Sequence, residues 1–128
     1  MTLDKIIKEL ELNKSYKFRE LHGIDYMIHR AIGWQDNDEC GWSMETDKGT
    51  YRTNSEWPYY TSNLQDTKKL IPEEQRGQGW AVVAQCGTAP AVATCGPKGG
   101  PIERGTHRTN ECIALCIAAL KVRRNNEY

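Results

Sequence analysis

The segment CIALCIAAL, residues 112–120, constrains the fold most, because a helix of this sequence is apolar on every side. A surface helix carries one apolar stripe, whereas a helix that is apolar all round has to be covered from more than one direction. Lys121, Arg123 and Arg124 follow it, where the negative end of a helix dipole favours cations. The sequence therefore predicts a buried helix from Thr109 to about Arg124, and a second subunit could supply part of its cover.

Length and charge limit the protein classes that this chain can belong to. Its 128 residues suffice for one domain and are too few for two ordinary ones, so we expect a single domain over 1–128. Seventeen basic residues balance seventeen acidic ones. This balance disfavours binding to duplex nucleic acid, which needs a basic excess or stripe. A balanced net charge still allows a local anion site. It also gives little self-repulsion between copies of the chain, and we expect a homo-oligomer.

The N-terminal segment MTLDKIIKELELNK is charged throughout and has no apolar signal-peptide core. No stretch of the sequence approaches transmembrane length, so we expect a cytoplasmic protein without a membrane partner. The five cysteines are an odd number, which in a reducing compartment favours free thiols; they are Cys40, Cys86, Cys95, Cys112 and Cys116. Four thiolates could bind zinc, but no CxxC knuckle is present, so we expect no metal and no other cofactor.

Two helices are predicted before any strand. Apolar residues at helical spacing run from Leu3 to Leu10, with Thr2 as a fair N-cap. We expect this helix, within 1–14, to be peripheral to the domain. A second apolar stripe runs from Ile24 to Ile32, and Gly33 follows where a helix C′ glycine belongs.

The remaining segments predict an α+β fold. CGWSMETDKGTYRTN is typical of a β-hairpin with DKG as its turn, between the polar loops QDNDEC and NSEWP. YTSNLQDTKKLIPEE predicts a short helix, capped by Thr61 or Ser62 and ended by Pro72. GWAVVAQCG and AVATCG predict an antiparallel pair. The order α-α-β-β-α-β-β-α corresponds to an antiparallel sheet of about four strands sandwiched by helices.

Four segments of the chain resemble a known family; they are HRAIGWQ, PYYTSNLQDTKKLIPE, GWAVV and THRTNECIALCIAALKVR. In this order they are similar to the phage ABA sandwich domain, a family of small phage and prophage proteins, over about residues 20–124. The family's name implies helices on both faces of a sheet. GPKGGPIERG departs from the family pattern. The resemblance implies a phage genome and an accessory role, and it transfers no catalytic motif.

The glycine-rich stretch before the last helix is the first candidate site. It contains neither the Walker A pattern nor a dinucleotide fingerprint. A helix N-terminus nevertheless offers free N–H groups to an anion, and Gly99, Gly100 and Gly105 would let the backbone approach a ligand. The predicted anion-binding residues are Lys98, Arg104, His107, Arg108 and Thr109. The alternative is a flexible connection with solvated charges.

Aromatic residues form the second candidate site. Six of them lie within residues 34–60, and such rings suit base stacking and protein interfaces alike. Trp34 and Trp42 are expected to cover the sheet. Trp57, Tyr59 and Tyr60, in the segment EWPYY, are predicted to contact a ligand or an interface. The alternative is that these three rings also only cover the sheet.

A catalytic centre has less support in the sequence. His22 and His29 are seven residues apart on or near the second helix, beside Asp25. Their spacing matches neither the HExxH motif nor the paired histidines of cyclic phosphodiesterases. No spacing selects a Cys–His dyad either. We therefore interpret them as surface or packing histidines, with His29 solvated beside Arg30.

Three hypotheses about function follow. The first is a non-enzymatic phage protein that counters host defence, in the cytoplasm of the infected cell, by sequestering a nucleotide-derived immune signal. Its phosphates would bind the basic residues of the glycine-rich stretch, and its base would stack on Trp57, Tyr59 or Tyr60. The second is an inhibitor that binds a host defence protein directly. The third is a small nucleotide hydrolase.

Overall fold

The computed structural model describes residues 2–37, 41–53, 57–72, 79–97 and 100–126. In chain order the elements are α1 (Leu3–Glu11), α2 (Phe18–Ala31), β1 (Gln35–Asn37), β2 (Gly41–Thr46), β3 (Gly49–Thr53), α3 (Leu64–Thr67) with a 3₁₀ turn (Lys68–Leu70), β4 (Trp80–Val83), β5 (Ala91–Cys95), β6 (Glu103–His107) and α4 (Glu111–Asn126). The α+β class is confirmed. No helix in these ranges combines the length and the apolar character needed to cross a membrane.

The strands form two small antiparallel sheets, which corrects the prediction of one sheet with about four strands. Three strands pair in the order β1-β2-β3, and three in the order β4-β5-β6. The two strands that were not predicted are the polar β1, within QDNDEC, and β6, within the glycine-rich stretch. Both pair along an established strand, with Gln35 opposite Ser43 and Glu103 opposite Cys95. Strand pairing therefore overrides weak local propensity at both places.

Helix α4 is the centre of the hydrophobic core. Every residue from 112 to 120 is buried, as the apolar run predicts. Strands β5 and β6 cover one side of α4, and α1, α3 and the 3₁₀ turn cover others. The chain itself thus supplies cover on several sides, and the burial of α4 gives no reason to invoke a second subunit.

Gly105 explains how α4 comes so close to the sheet. A Cβ atom at this position in β6 would lie 2.1 Å from the carbonyl oxygen of Ala114 and 2.8 Å from Cβ of Ile117. Only a residue without a side chain fits under the helix at this point. Gly105 was expected to let the backbone approach a ligand, but the group that approaches it is α4.

Several predicted helix ends are confirmed, and one is wrong. The Thr2 hydroxyl accepts a hydrogen bond from the Lys5 N–H, and Gly33 takes a positive φ of 115° after α2. The cap of α3 is Asn63, whose side-chain oxygen accepts from the backbone N–H groups of Gln65 and Asp66. Thr61, which was a predicted cap, is instead fully buried and bonded to α2.

Helix α1 belongs to the core rather than to the periphery. Leu3, Ile6, Ile7 and Leu10 are all buried and join the same core cluster as α4. Near the N-terminus of α1, Asp4 Oδ1 accepts a hydrogen bond from the Arg124 guanidinium of α4 at 3.2 Å. The apolar stripe predicted for α1 therefore packs against the domain's own last helix.

We predict that Gly105→Ala lowers the free energy of unfolding by about 3 kcal/mol or more, because the added methyl overlaps backbone atoms that cannot rotate away. The matched control is Gly23→Ala in the middle of α2, where a Cβ meets nothing within 4 Å. This control should stabilise the protein by up to about 1 kcal/mol. Urea denaturation of the three proteins measures both effects, and equal stability of wild type and Gly105→Ala would refute the packing argument.

Candidate functional site

A groove of about 800 Å³ opens where the end of α2, the sheet β1–β3, the segment 57–72 and α4 meet. Its size is in the range of small-molecule sites. Five rings line it, and these are His29, Trp34, Trp57, Tyr59 and Tyr60. Three charged residues also line it, and these are Asp66, Lys69 and Arg123. We call this feature the aromatic groove.

Charged side chains are grouped in one part of the aromatic groove. Lys69 Nζ lies 3.0 Å from Asp66 Oδ1, and the Lys69 side chain is 58% exposed. The Arg123 guanidinium is fixed by donation from Nε to the Leu70 carbonyl oxygen at 2.6 Å and from one Nη to the Lys69 carbonyl oxygen. Asp66 also accepts from the Tyr59 N–H at 2.9 Å. Among the described residues, a lysine, an arginine and an aspartate therefore line the same part of the groove.

His29 lies beneath the rings as a buried packing residue. It is 5% exposed, and its Nδ1 is hydrogen-bonded to the Tyr60 hydroxyl at 2.7 Å. The ring stacks parallel to Trp34 at 5.1 Å and meets Trp42 edge-on at 4.5 Å. Burial lowers the pKa of His29 to about 4, so the ring is neutral at neutral pH. The expectation of a packing histidine is confirmed, and the expectation that His29 is solvated is wrong.

His22 lies between two of the groove rings. Its imidazole is 4.6 Å from Trp57 and 4.6 Å from Tyr59, and it is nearly parallel to both, at 20° and 17°. The Trp57 indole N–H donates to the His22 carbonyl oxygen at 3.1 Å. Phe18 extends this arrangement, with its ring 5.9 Å from that of Tyr59. We call Trp57, His22 and Tyr59 the aromatic stack.

Asp25 supports the aromatic stack from inside the protein. Its carboxylate is fully buried, and Oδ1 accepts from both the N–H and the hydroxyl of Thr61, each at 2.8 Å. Its other oxygen, Oδ2, lies 3.6 Å from His22 Nδ1. Burial raises the pKa of Asp25, against the hydrogen bonds from Thr61 and the attraction of His22. The segment that carries the aromatic stack is therefore bound to α2 through a buried carboxylate.

The predicted anion-binding stretch has a different geometry. His107 is buried, and its Nε2 is 3.0 Å from the carbonyl oxygen of Lys14. Its Nδ1 accepts from the N–H groups of Thr109 and Asn110. The Asn110 side chain caps α4 by accepting from the Ile113 N–H at 3.1 Å. His107 and Asn110 thus stabilise the turn that leads into the helix.

The other basic residues of that stretch lie away from the aromatic groove. Arg104 lines a separate groove of about 390 Å³, together with Glu11 and Lys121. The exposed Arg108 donates its backbone N–H to Asn13 Oδ1 at 2.7 Å, and Lys98 lies outside the described residues. Arg104 and the predicted aromatic residues therefore line different grooves.

The three predicted aromatic residues differ in exposure. Trp57 and Tyr59 are half-buried and line the aromatic groove, while Tyr60 is 2% exposed and belongs to the core. Burial raises the pKa of the Tyr60 hydroxyl, which is directed to His29. Tyr60 therefore contributes to the wall of the groove without offering a face for stacking.

The cysteines of the described residues are free thiols. Cys95, Cys112 and Cys116 are buried, and burial raises the pKa of all three. Cys86 is exposed on the turn after β4, and Cys40 lies outside the described residues. Within the described part of the chain, no three His, Cys, Asp or Glu side chains are grouped so that they could hold a metal ion.

Sequence reasoning missed several residues of the aromatic groove. Trp34 was expected to cover the sheet, Arg123 was placed at the end of the last helix, and Lys69 was only part of a predicted short helix. A local signal existed, because Asp66 and Lys69 are three residues apart, as are His22 and Asp25, and such pairs share a helix face. Long-range packing brings these two pairs close to the same groove, and the local spacing of residues does not predict such packing.

Comparisons with protein-family models, curated proteins and solved structures found no match to this chain. The resemblance to the phage ABA sandwich domain therefore stays a prediction, and the function has to be argued from the geometry of the aromatic groove.

The burial of His29 predicts a loss of stability in acid. Its pKa is about 6.5 in an unfolded chain and about 4 in the folded protein, so folding favours the neutral ring. This contribution is present above pH 6.5 and is lost as the pH falls towards 4, by at most about 3 kcal/mol. Urea denaturation at pH 7 and pH 4 measures the loss.

His29→Phe is the control for this prediction, because it keeps a ring against Trp34 and removes the titrating group. Its stability should change less than that of the wild type between the two pH values. An identical pH dependence in both proteins would show that other groups cause the acid sensitivity.

Proposed function

We propose that the protein is a non-enzymatic binding protein that holds a small planar anion of nucleotide type in the aromatic groove. The observation that carries this proposal is the presence of several aromatic rings and two cations around one groove of about 800 Å³. Nucleotides combine a flat base with a compact negative charge. A site for them needs ring faces and fixed cations within reach of each other.

The groove supports a specific division of roles. Trp34, Trp57 and Tyr59 are half-buried, and their rings offer apolar surface against which a base can pack. Lys69 and Arg123 supply positive charge for a phosphate, with Arg123 already oriented by its bonds to backbone carbonyl oxygens. The predicted partners Trp57 and Tyr59 are kept in this proposal, and Lys69 and Arg123 take the role first given to the glycine-rich stretch.

The chemistry of the groove supports occupancy more than turnover. A general base works best when its pKa is near the operating pH, and that of His29 is about 4. The imidazole is also buried and hydrogen-bonded to Tyr60. A nucleotide hydrolase therefore has less support than a binding protein.

The biological setting of this proposal rests on the resemblance to phage proteins. A small phage protein that binds nucleotides without consuming them could counter host defence by sequestering a nucleotide-derived immune signal in the cytoplasm of the infected cell. A homo-oligomer would carry one groove in each subunit and would therefore bind several ligand molecules. The resemblance suggests the counter-defence role, whereas the groove supports the binding of a nucleotide-type anion.

A second candidate function is direct inhibition of a host defence protein. Phe18 is 62% exposed and lies beside the aromatic stack, 5.9 Å from Tyr59. Large exposed aromatic residues are typical anchors at protein interfaces. Phe18→Ala should weaken such a complex.

We predict that 3′,5′-cyclic AMP binds more tightly than adenosine or ribose 5-phosphate, because only the cyclic nucleotide offers both a base and a charge that does not titrate near neutral pH. Lys69→Ala should weaken cyclic AMP binding at least about tenfold, because it removes a charge-assisted contact and leaves Asp66 at the site. Isothermal titration calorimetry at pH 7 and low salt measures these affinities.

Lys8→Ala is the matched control, since Lys8 is an exposed lysine of α1 that does not line the groove. Its affinity for cyclic AMP should equal that of the wild type. Loss of binding in Arg108→Ala with full binding in Lys69→Ala would move the anion site to the turn before α4. No heat from any of the three compounds at millimolar concentration would count against a nucleotide site.

A further inference from the structure

The walls of the aromatic groove depend on residues that do not line it. Trp57 and Tyr59 lie in a stretch without regular secondary structure, so no helix or strand fixes their rings. Both rings stack on His22, which contributes nothing to the groove surface itself. The imidazole of His22 therefore sets the distance between the rings of Trp57 and Tyr59.

His22 is itself held in place from the protein interior. The buried carboxylate of Asp25 lies 3.6 Å from His22 Nδ1 and is fixed by two hydrogen bonds from Thr61. Thr61 belongs to the same segment as Trp57 and Tyr59, and Trp57 donates its indole N–H to the His22 carbonyl oxygen. One turn of α2 thus binds the segment at two places: the His22 carbonyl oxygen contacts Trp57, and the Asp25 carboxylate contacts Thr61.

We propose that His22, oriented by Asp25, is the positioning residue of the aromatic groove and sets the alignment of Trp57 and Tyr59. A flat ring between two others holds both at stacking distance, and a small side chain in its place removes the contact that aligns them. The effect on ligand affinity rests on the proposed function, but the effect on the rings does not.

The first test needs no ligand. Nuclear magnetic resonance follows the Trp57 indole N–H signal of the whole protein in the wild type, in His22→Ala and in His22→Phe. We expect His22→Ala to shift this signal, because it removes the ring on which Trp57 stacks. His22→Phe keeps a ring at this place, so its indole signal should stay closer to that of the wild type. An indole signal that is the same in wild type and His22→Ala would overturn the proposal.

The second test uses cyclic AMP at pH 7. Its affinity for His22→Ala should be about fivefold lower than for the wild type, because Trp57 and Tyr59 lose the ring between them. His22→Phe keeps a ring between Trp57 and Tyr59, so its affinity should stay close to that of the wild type. His22→Phe combined with Asp25→Asn is the alternative variant if a lone buried carboxylate prevents folding.

Gly23→Ala is the control for both tests, because it lies next to His22 on α2 and its Cβ meets nothing within 4 Å. It should behave as the wild type. Equal cyclic AMP affinity in wild type and His22→Ala would refute the role of His22 and leave the proposed function intact. A Trp57 signal that shifts in His22→Ala, with no cyclic AMP binding by any of these proteins, would refute the nucleotide ligand and support the positioning role.

Discussion

The close packing of α4 against β6 is the interaction on which the rest of the structure depends. The absence of a side chain at Gly105 lets the helix backbone lie directly on the strand, where a Cβ would be 2.1 Å from the Ala114 carbonyl oxygen. This contact makes possible the burial of all residues from 112 to 120. It also explains why a glycine stands in the middle of a strand, where glycine is otherwise unfavourable.

Helix α4 in turn holds the segment that carries the aromatic groove. The Cys116 thiol donates to the Tyr60 carbonyl oxygen, the Asn110 amide donates to the Thr61 carbonyl oxygen, and Arg123 donates to the Leu70 carbonyl oxygen. On its other side the same segment is bound to α2 by the contacts between Thr61 and Asp25. A stretch with little regular structure is thus fixed between two helices, and this order allows it to present Trp57 and Tyr59.

Buried polar groups concentrate around this segment, which is why we place function there. Asp25, His29 and Thr61 are all buried, although an apolar core would tolerate none of them without hydrogen bonds. Each has such partners, and the network lies directly behind the aromatic groove. Groups whose pKa values are shifted by burial, gathered beside a groove, are typical of functional sites.

Local sequence patterns determined much of the secondary structure and its termini. Apolar spacing predicted α1, α2 and α4, glycine and threonine marked helix ends, and the hairpin β2–β3 followed from its turn residues. These features depend on neighbours within a few residues, so the sequence alone contains them. The aromatic character of the segment around Trp57 was also visible.

Only the tertiary structure decided which residues meet. It placed β1 and β6 in sheets despite weak propensity, turned His107 inward to stabilise a turn, and buried Tyr60. It also joined Lys69 and Arg123, which are far apart in sequence, at one groove with Trp57 and Tyr59. The physical reason is that backbone pairing and close packing link distant residues, and a local pattern of polarity fits many such arrangements.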